Sequence, residues 1–210
     1  MSTNGFLDVP ESTLEARRLY DDDVAEVGYV MNVSRLWAYQ PGTVEGLFDL
    51  MREATAAHGL DIRQRGILVA ACAATLGDSY CALSWGSKLA EAADSQTASA
   101  VLRGDDDGLT TGERAMAAWA RKVVRDPNGT SGADVQVLRD AGYGDAAIFA
   151  ITVFVALRIA FSTVNDALGV RPDAAFCSTA PEAVLNAVTF GRPIDDETSK
   201  PVPQPTGAER

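Results

Sequence analysis

The fold is decided by residues 65–85, which read RGILVAACAATLGDSYCALSW. From Ile67 to Leu76 this stretch is apolar nearly all round, which predicts a helix in the middle of a bundle. Gly77 can close that helix in the left-handed conformation, and Asp78 is a preferred residue for starting the next one. Cys81 then lies in the first turn of the second helix, where free amides and the helix dipole favour a thiolate.

Capping residues and glycines divide the rest of the chain in the same way. Asp61 with Gln64, and Thr110 with Glu113, have the spacing of capping boxes. No run of alternating apolar and polar residues is long enough to indicate a sheet, so we expect an all-α protein. Further helices are predicted from Thr43 to His58, around Gln96 to Leu102, from Ser131 to Gly142 and from about Asp145 to Leu168.

From about Val27 to Ala175 the sequence resembles the alkylhydroperoxidase D and carboxymuconolactone decarboxylase superfamily, and is most similar to its peroxidase-related branch. The similarity rests on Arg65, Gly77, Tyr80 and Cys81, and on the motifs LTTGERA at 109–115 and NDALGVRPD at 165–173. The resemblance implies an alkylhydroperoxidase-like helical bundle that assembles as a homo-oligomer.

Members of this superfamily carry a glutamate on the first helix of the motif and a CxxCxxxH sequence at the start of the second. Carried over position by position, the glutamate falls on Gly66, the first cysteine on Asp78, the second on Cys81 and the histidine on Trp85. Because three of these four positions differ, the resemblance implies a degenerate active site in which the dithiol peroxidase chemistry is lost.

The two motif positions at the helix start each have two interpretations. Asp78 is either only an N-cap, or a general acid or base at the position of the missing cysteine. Cys81 is either a small buried core residue, or a single reactive thiol that reduces a peroxide and is reset by an external thiol.

The remaining candidate site residues concern a ligand pocket. A glycine inside a helix requires close packing or space for another group, and Trp85 is a candidate to fill the space beside Gly66. Alternatively, Trp85 and Tyr80 form an aromatic wall for a ligand. Arg158 interrupts an apolar helix and needs a partner, either Asp166 or another carboxylate, or an acidic substrate at a subunit boundary.

Composition narrows the classes of partner. The 210 residues carry a net charge of −11, which repels nucleic acid and anionic membranes, so a small-molecule substrate or ligand is expected. Cysteines at 72, 81 and 177 form no disulfide framework, and residues 1–11 lack the pattern of a signal peptide. The apolar run at 146–157 is shorter than a membrane span. We therefore expect a soluble cytoplasmic protein.

One domain is predicted, with a flexible N-terminus at 1–12, a helical domain at 13–191 and a disordered tail at 192–210. No phosphate-binding loop or metal-ligand cluster is visible, so neither a cofactor nor a metal is expected. The acidic loop at 105–107 does not fit a calcium loop, and His58 is expected to complement a helix C-terminus.

Three functions follow from these observations. The first is a divergent enzyme of the superfamily that acts on a small organic molecule by another reaction, such as proton transfer or decarboxylation. The second is a single-cysteine peroxidase working through Cys81. The third is a non-catalytic oligomer that binds a ligand.

Overall fold

The computed structural model describes residues 5–196, and within that range the chain is helical with no β-strand. The all-α prediction is therefore confirmed. The described residues form α1 (Leu14–Val27), α2 (Asn32–Trp37), α3 (Pro41–Ala56), α4 (Ile62–Leu76), α5 (Ser79–Ala92), α6 (Ser95–Arg103), α7 (Thr111–Arg125), α8 (Gly132–Asp140), α9 (Asp145–Ala167), α10 (Phe176–Thr179) and α11 (Glu182–Ala187). A single 3-10 turn, Pro127–Gly129, joins α7 to α8.

Helix α4 lies at the centre of the bundle and contacts α5, α6, α7 and α9. Its residues from Gly66 to Ala73 are buried without a break, as expected for a helix that has no polar face. The predicted capping box starts it: the Gln64 N–H donates to Asp61 Oδ1 at 2.8 Å, and the Asp61 N–H donates to Gln64 Oε1 at 3.2 Å.

The turn from α4 to α5 sets the position of Cys81. Gly77 closes α4 with a φ of 82°, a conformation that glycine adopts without a steric penalty. Asp78 is the N-cap of α5, and its Oδ1 accepts the Cys81 N–H at 2.9 Å. One carboxylate therefore both starts the helix and fixes Cys81 in its first turn.

Helix α9 has 23 residues and packs against α3, α4 and α7. By length and composition alone it could cross a membrane, but 44% of its most apolar window is buried inside the bundle. Ile151, Phe154 and Val155 lie in the core, and Arg158 is buried on the same helix. These features are typical of the core helix of a globular domain.

The predicted tail at 192–210 lies only in part within the described residues. Residues 197–210 lie outside the described range, but Arg192 to Asp196 pack against the helical domain. The Asp195 N–H donates to Pro172 O at 2.8 Å, and Asp195 Oδ1 lies 3.2 Å from Arg171 Nη1. Polar residues that look disordered in the sequence are held here by specific partners in the domain.

The N-terminal region contains two helices that the sequence pattern did not indicate, α1 and α2. Residues 1–4 of the predicted flexible N-terminus lie outside the described range. Residues 5–12 have no helix, although the Phe6 N–H donates to Leu168 O at 2.8 Å. Thr13 caps α1 by accepting the Ala16 N–H.

Gly66 allows α4 and α5 to approach closely, because a Cβ at this position would lie 3.1 Å from Leu89 Cβ. We expect Gly66→Ala to destabilise the fold by about 1 kcal/mol or more, since the gain in helix propensity is smaller than the strain of an overpacked contact.

The matched control is Gly46→Ala in α3, where a Cβ meets no atom within 4 Å. This variant should gain up to about 1 kcal/mol. Denaturant unfolding measures both, and equal stabilisation by the two substitutions would contradict the close contact at Gly66.

Candidate functional site

Helices α5 and α9 bring Cys81, Asp78 and Arg158 together in the interior of the bundle. Arg158 Nη2 lies 3.2 Å from Cys81 Sγ, and Ser162 Oγ lies 3.7 Å from the same sulfur. Cys81 is 2% exposed and Asp78 is fully buried. The thiol therefore lies between a guanidinium on one helix and a carboxylate at the start of the other, closed off from solvent.

Arg158 is surrounded by sulfur atoms and aromatic rings instead of carboxylates. Its Nη1 lies 3.9 Å from Met51 Sδ, and its Cζ lies 5.4 Å from the Trp85 ring centre and 5.1 Å from that of Phe161. Cation–π contacts of this kind stabilise a desolvated charge. Within residues 5–196 Arg158 forms no salt bridge, so of its possible partners neither Asp166 nor another carboxylate pairs with it there.

Three buried polar atoms on α9 and at the start of α5 have no hydrogen-bond partner among the described residues: Asp78 Oδ2, Arg158 Nε and Asn165 Nδ2. Asn165 lies two turns after Arg158 on α9, and its Oδ1 accepts the Trp37 Nε1–H at 2.8 Å. An unpaired buried polar group costs about 1–3 kcal/mol. Such groups are uncommon in native proteins, and each requires an explanation such as a bound water, an ion or a catalytic role.

Burial raises the pKa of the Cys81 thiol well above its ordinary value, and the Asp78 carboxylate raises it further. Arg158 and Ser162 act in the opposite direction. Burial also raises the pKa of Cys72 to about 12. Both thiols therefore remain protonated at neutral pH while the site is closed.

The other predicted site residues lie at different distances from the cluster. Trp85 is half-buried and belongs to it through the contact of its ring with Arg158. The Tyr80 hydroxyl donates to Asp173 Oδ2, so its polar end is used to connect α5 to the segment before α10. The three atoms nearest to a Cβ on Gly66 all belong to Leu89, so Leu89 and not Trp85 fills that space.

Two polar residues of the site, Ser162 and Asn165, were not predicted as site residues. They follow Arg158 at positions i+4 and i+7 of α9, and so lie on one face of the helix. Polar residues at this spacing in an otherwise apolar helix are a signal that the sequence does contain.

Within residues 5–196 no three side chains of histidine, cysteine, aspartate or glutamate are grouped so as to hold a metal ion. His58 is exposed just beyond the end of α3 and takes no part in the site. The chemistry available to the site is thus that of a thiol, a carboxylate, a guanidinium and an amide.

Two solved structures are similar to this chain over most of its length. One is an uncharacterized peroxidase-related protein from Silicibacter sp. TM1040, with 19% identity and a TM-score of 0.74, covering 85% of this chain and 96% of that one. The other, described as an alkylhydroperoxidase AhpD core and an uncharacterized peroxidase-related protein, comes from Ralstonia eutropha JMP134. It has 23% identity and a TM-score of 0.72, and the match covers 84% and 96% of the two chains.

No protein-family model and no curated protein matches the sequence. At these identities the two structures establish the fold alone. The chain has the alkylhydroperoxidase-like fold of peroxidase-related proteins, which confirms the resemblance seen in the sequence at the level of fold.

Asp166, which follows Asn165 on α9, provides a pH-dependent test of the site. Its pKa is raised to about 6, mainly by partial burial and then by the Asp78 carboxylate, while Arg192 acts in the opposite direction. The folded state therefore binds this proton more tightly than the unfolded state does. Its contribution to the free energy of unfolding is present at low pH and is lost as the pH rises from about 4 to about 6.

We expect Asp166→Asn to reduce this loss of stability, which denaturant unfolding at pH 4, 5, 6 and 7 measures. Some pH dependence should remain, because burial also raises the pKa of Asp23 to about 6. Asp145→Asn is the control, since Arg139 lowers the pKa of Asp145 and places its effect below pH 4. A profile unchanged in Asp166→Asn would show that folding does not raise the pKa of Asp166.

Proposed function

We propose that this protein binds a small organic molecule at the buried cluster of Asp78, Cys81, Arg158 and Asn165, and acts on it without dithiol peroxidase chemistry. The observation that carries the proposal is the set of unpaired buried atoms, Asp78 Oδ2, Arg158 Nε and Asn165 Nδ2. A ligand that fills these positions would recover hydrogen bonds that the protein alone leaves unmade.

The three atoms define what such a ligand must offer. Arg158 Nε and Asn165 Nδ2 are donors, so they require an acceptor oxygen or nitrogen on the ligand. Asp78 Oδ2 accepts, so it suits a ligand hydroxyl or amide N–H. A small molecule that carries both kinds of group, such as a hydroxy acid or an enol, satisfies these requirements.

Asp78 is the proposed acid–base group. Its Oδ1 accepts the Cys81 N–H, which fixes the carboxylate beside the Cys81 thiol, and Oδ2 would take a proton from the ligand. Arg158 would stabilise the negative charge that such a proton transfer develops. Proton transfer next to a guanidinium is the reaction type that these side chains support best.

Two features argue against dithiol chemistry. All three cysteines are free, and the position of the first motif cysteine is occupied by Asp78. Trp85 occupies the position of the relay histidine, and its ring contacts Arg158. Unlike an imidazole, an indole ring has no acceptor nitrogen and cannot relay a proton. A disulfide cannot form between α5 residues 78 and 81.

A single-thiol reaction at Cys81 is the second candidate, because Arg158 Nη2 lies only 3.2 Å from Cys81 Sγ. In that reaction the thiolate would attack a peroxide oxygen, the O–O bond would break to release an alcohol, and Cys81 would become a sulfenic acid. Two equivalents of an external thiol would then reduce it and release water. The raised pKa of Cys81 counts against this candidate.

We further propose that the protein is a cytoplasmic homo-oligomer. The free cysteines support a reducing compartment. Exposed apolar side chains such as Phe149 on α9, at 72% exposure, support association between copies of the chain.

Binding can be tested with Arg158→Met, which removes the charge and keeps an apolar chain of similar length. Because a buried charge gives little net stability, the free variant should be as stable as the wild type or more stable. We expect at least one of lactate, glycolate, mandelate and benzamide at 10 mM to raise the wild-type Tm, and we expect the shift to vanish in Arg158→Met.

Arg139→Met is the matched control, since Arg139 pairs with Asp145 on the surface and should keep the shift. A Tm shift retained in Arg158→Met would place the ligand elsewhere. A wild type unaffected by every compound would reject this ligand class.

For the reaction, we expect little or no dithiothreitol-dependent turnover of cumene hydroperoxide by the purified protein, because one redox thiol and the histidine are missing. Consumption of the peroxide in a coupled assay measures this. Robust turnover that disappears in Cys81→Ser would reject the main proposal in favour of the single-thiol candidate.

A further inference from the structure

The segment after α11 crosses the outside of the site without forming a helix. We refer to residues 188–196 as the C-terminal strap. Its ends are fixed, because Val184 and Ala187 of α11 are buried before it and Asp195 is buried at its far end. Between these two anchors, Gly191 has a φ of 73° and allows a sharp turn.

The middle of the strap lies against the start of α5. A Cβ on Gly191 would lie 2.4 Å from Gly77 O and 2.9 Å from Ser79 Cβ, so the two backbones are in close contact. The Ser79 hydroxyl donates to Arg192 O at 2.7 Å. Gly77 and Ser79 are the two neighbours of Asp78, so the strap lies against the chain on both sides of the residue that carries the proposed acid–base group.

The same part of the strap also reaches α9. Arg192 Nη2 donates to Asp166 O at 3.0 Å, and Asp166 follows Asn165 directly. The strap thus connects the first residues of α5 to the last residues of α9, the two helices that supply the polar atoms of the site. With the strap in this position, Cys81 is 2% exposed and Asp78 is fully buried.

We propose that the C-terminal strap is a lid that opens at residues 189–193 to give small molecules access to Asp78 and Cys81. The identity of the ligand that the lid admits rests on the proposed function, whereas the opening of residues 189–193 does not. The strap has no internal helix. Its residues 189–193 are held by hydrogen bonds from Ser79 to Arg192 O, from Arg192 to Asp166 O and from Arg171 to Pro193 O, and by Phe190 packed against the core. A surface segment without regular secondary structure opens locally at a smaller free energy than global unfolding requires.

Access can be measured by alkylation of Cys81 with iodoacetamide at pH 8.5, followed by mass spectrometry of the peptides. A Cys177→Ser background removes the exposed cysteine. Cys72 is an internal reference, because it is 1% exposed in the central helix and should react only on global unfolding. We expect Cys81 to react faster than Cys72.

Loosening the strap should increase this difference. Ser79→Ala removes one hydrogen bond and should speed Cys81 alkylation by about fivefold. Arg192→Ala removes one hydrogen bond and the contact with the Phe6 ring, so it should speed the reaction at least as much, and the double variant by more than about tenfold. The rate at Cys72 should not change. Arg103→Ala is the matched control, since Arg103 pairs with Asp105 and Ser99 on another face and should leave both rates unchanged.

Two results would contradict the proposal that the C-terminal strap is a lid. One is a Cys81 rate that equals the Cys72 rate in the wild type, which would mean that the site opens only by global unfolding. The other is a Cys81 rate that neither strap variant increases. If Arg192→Ala lowers overall stability and so raises the alkylation rates of Cys81 and Cys72 together, the rates measured in Ser79→Ala test the lid. Because the reagent is not a ligand, failure of the lid and failure of the ligand proposal are distinguishable.

Discussion

The contact of Arg158 with Cys81 is the interaction on which the rest of the site depends. A guanidinium remains charged in a protein interior, and moving it out of water costs several kcal/mol unless other groups replace the solvent. Here the sulfur atoms of Cys81 and Met51 and the rings of Trp85 and Phe161 take that place. These groups fix the guanidinium beside the thiol, and they leave Nε without a partner. The guanidinium is thus held in one position, and its Nε–H makes no hydrogen bond among the described residues.

Asp78 and Gly66 each have a structural role in the bundle. Asp78 is the N-cap of α5, where aspartate is among the best residues, so it starts this helix. Gly66 has no side chain, which lets Leu89 of α5 pack directly onto α4. Both residues are therefore compatible with a well-packed bundle.

The sequence predicted what depends on local pattern. Helix α4 and the starts of α4, α5 and α7 follow from apolar periodicity and capping pairs, and Cys81 and Asp78 follow from their place in that pattern. The partners of Arg158 could not be predicted, since Met51 on α3 meets it only through the packing of α3 against α9. Helix α1 was missed because it is polar on most of its surface and buries only Ala16, Tyr20 and Asp23. The strap was missed because its order depends on contacts with distant residues.

The position of one thiol between two opposite charges limits the chemistry. In a dithiol site both thiols give electrons to the peroxide and form a disulfide, whereas a carboxylate at position 78 can only exchange a proton. Asp78 and Arg158 do not pair with each other, because each contacts Cys81 from its own helix. Each keeps an unpaired atom, and a ligand that accepts from Arg158 and donates to Asp78 would join the two. The same contacts that bind such a ligand would draw its proton towards Asp78 and its negative charge towards Arg158, so binding and proton transfer use a single geometry.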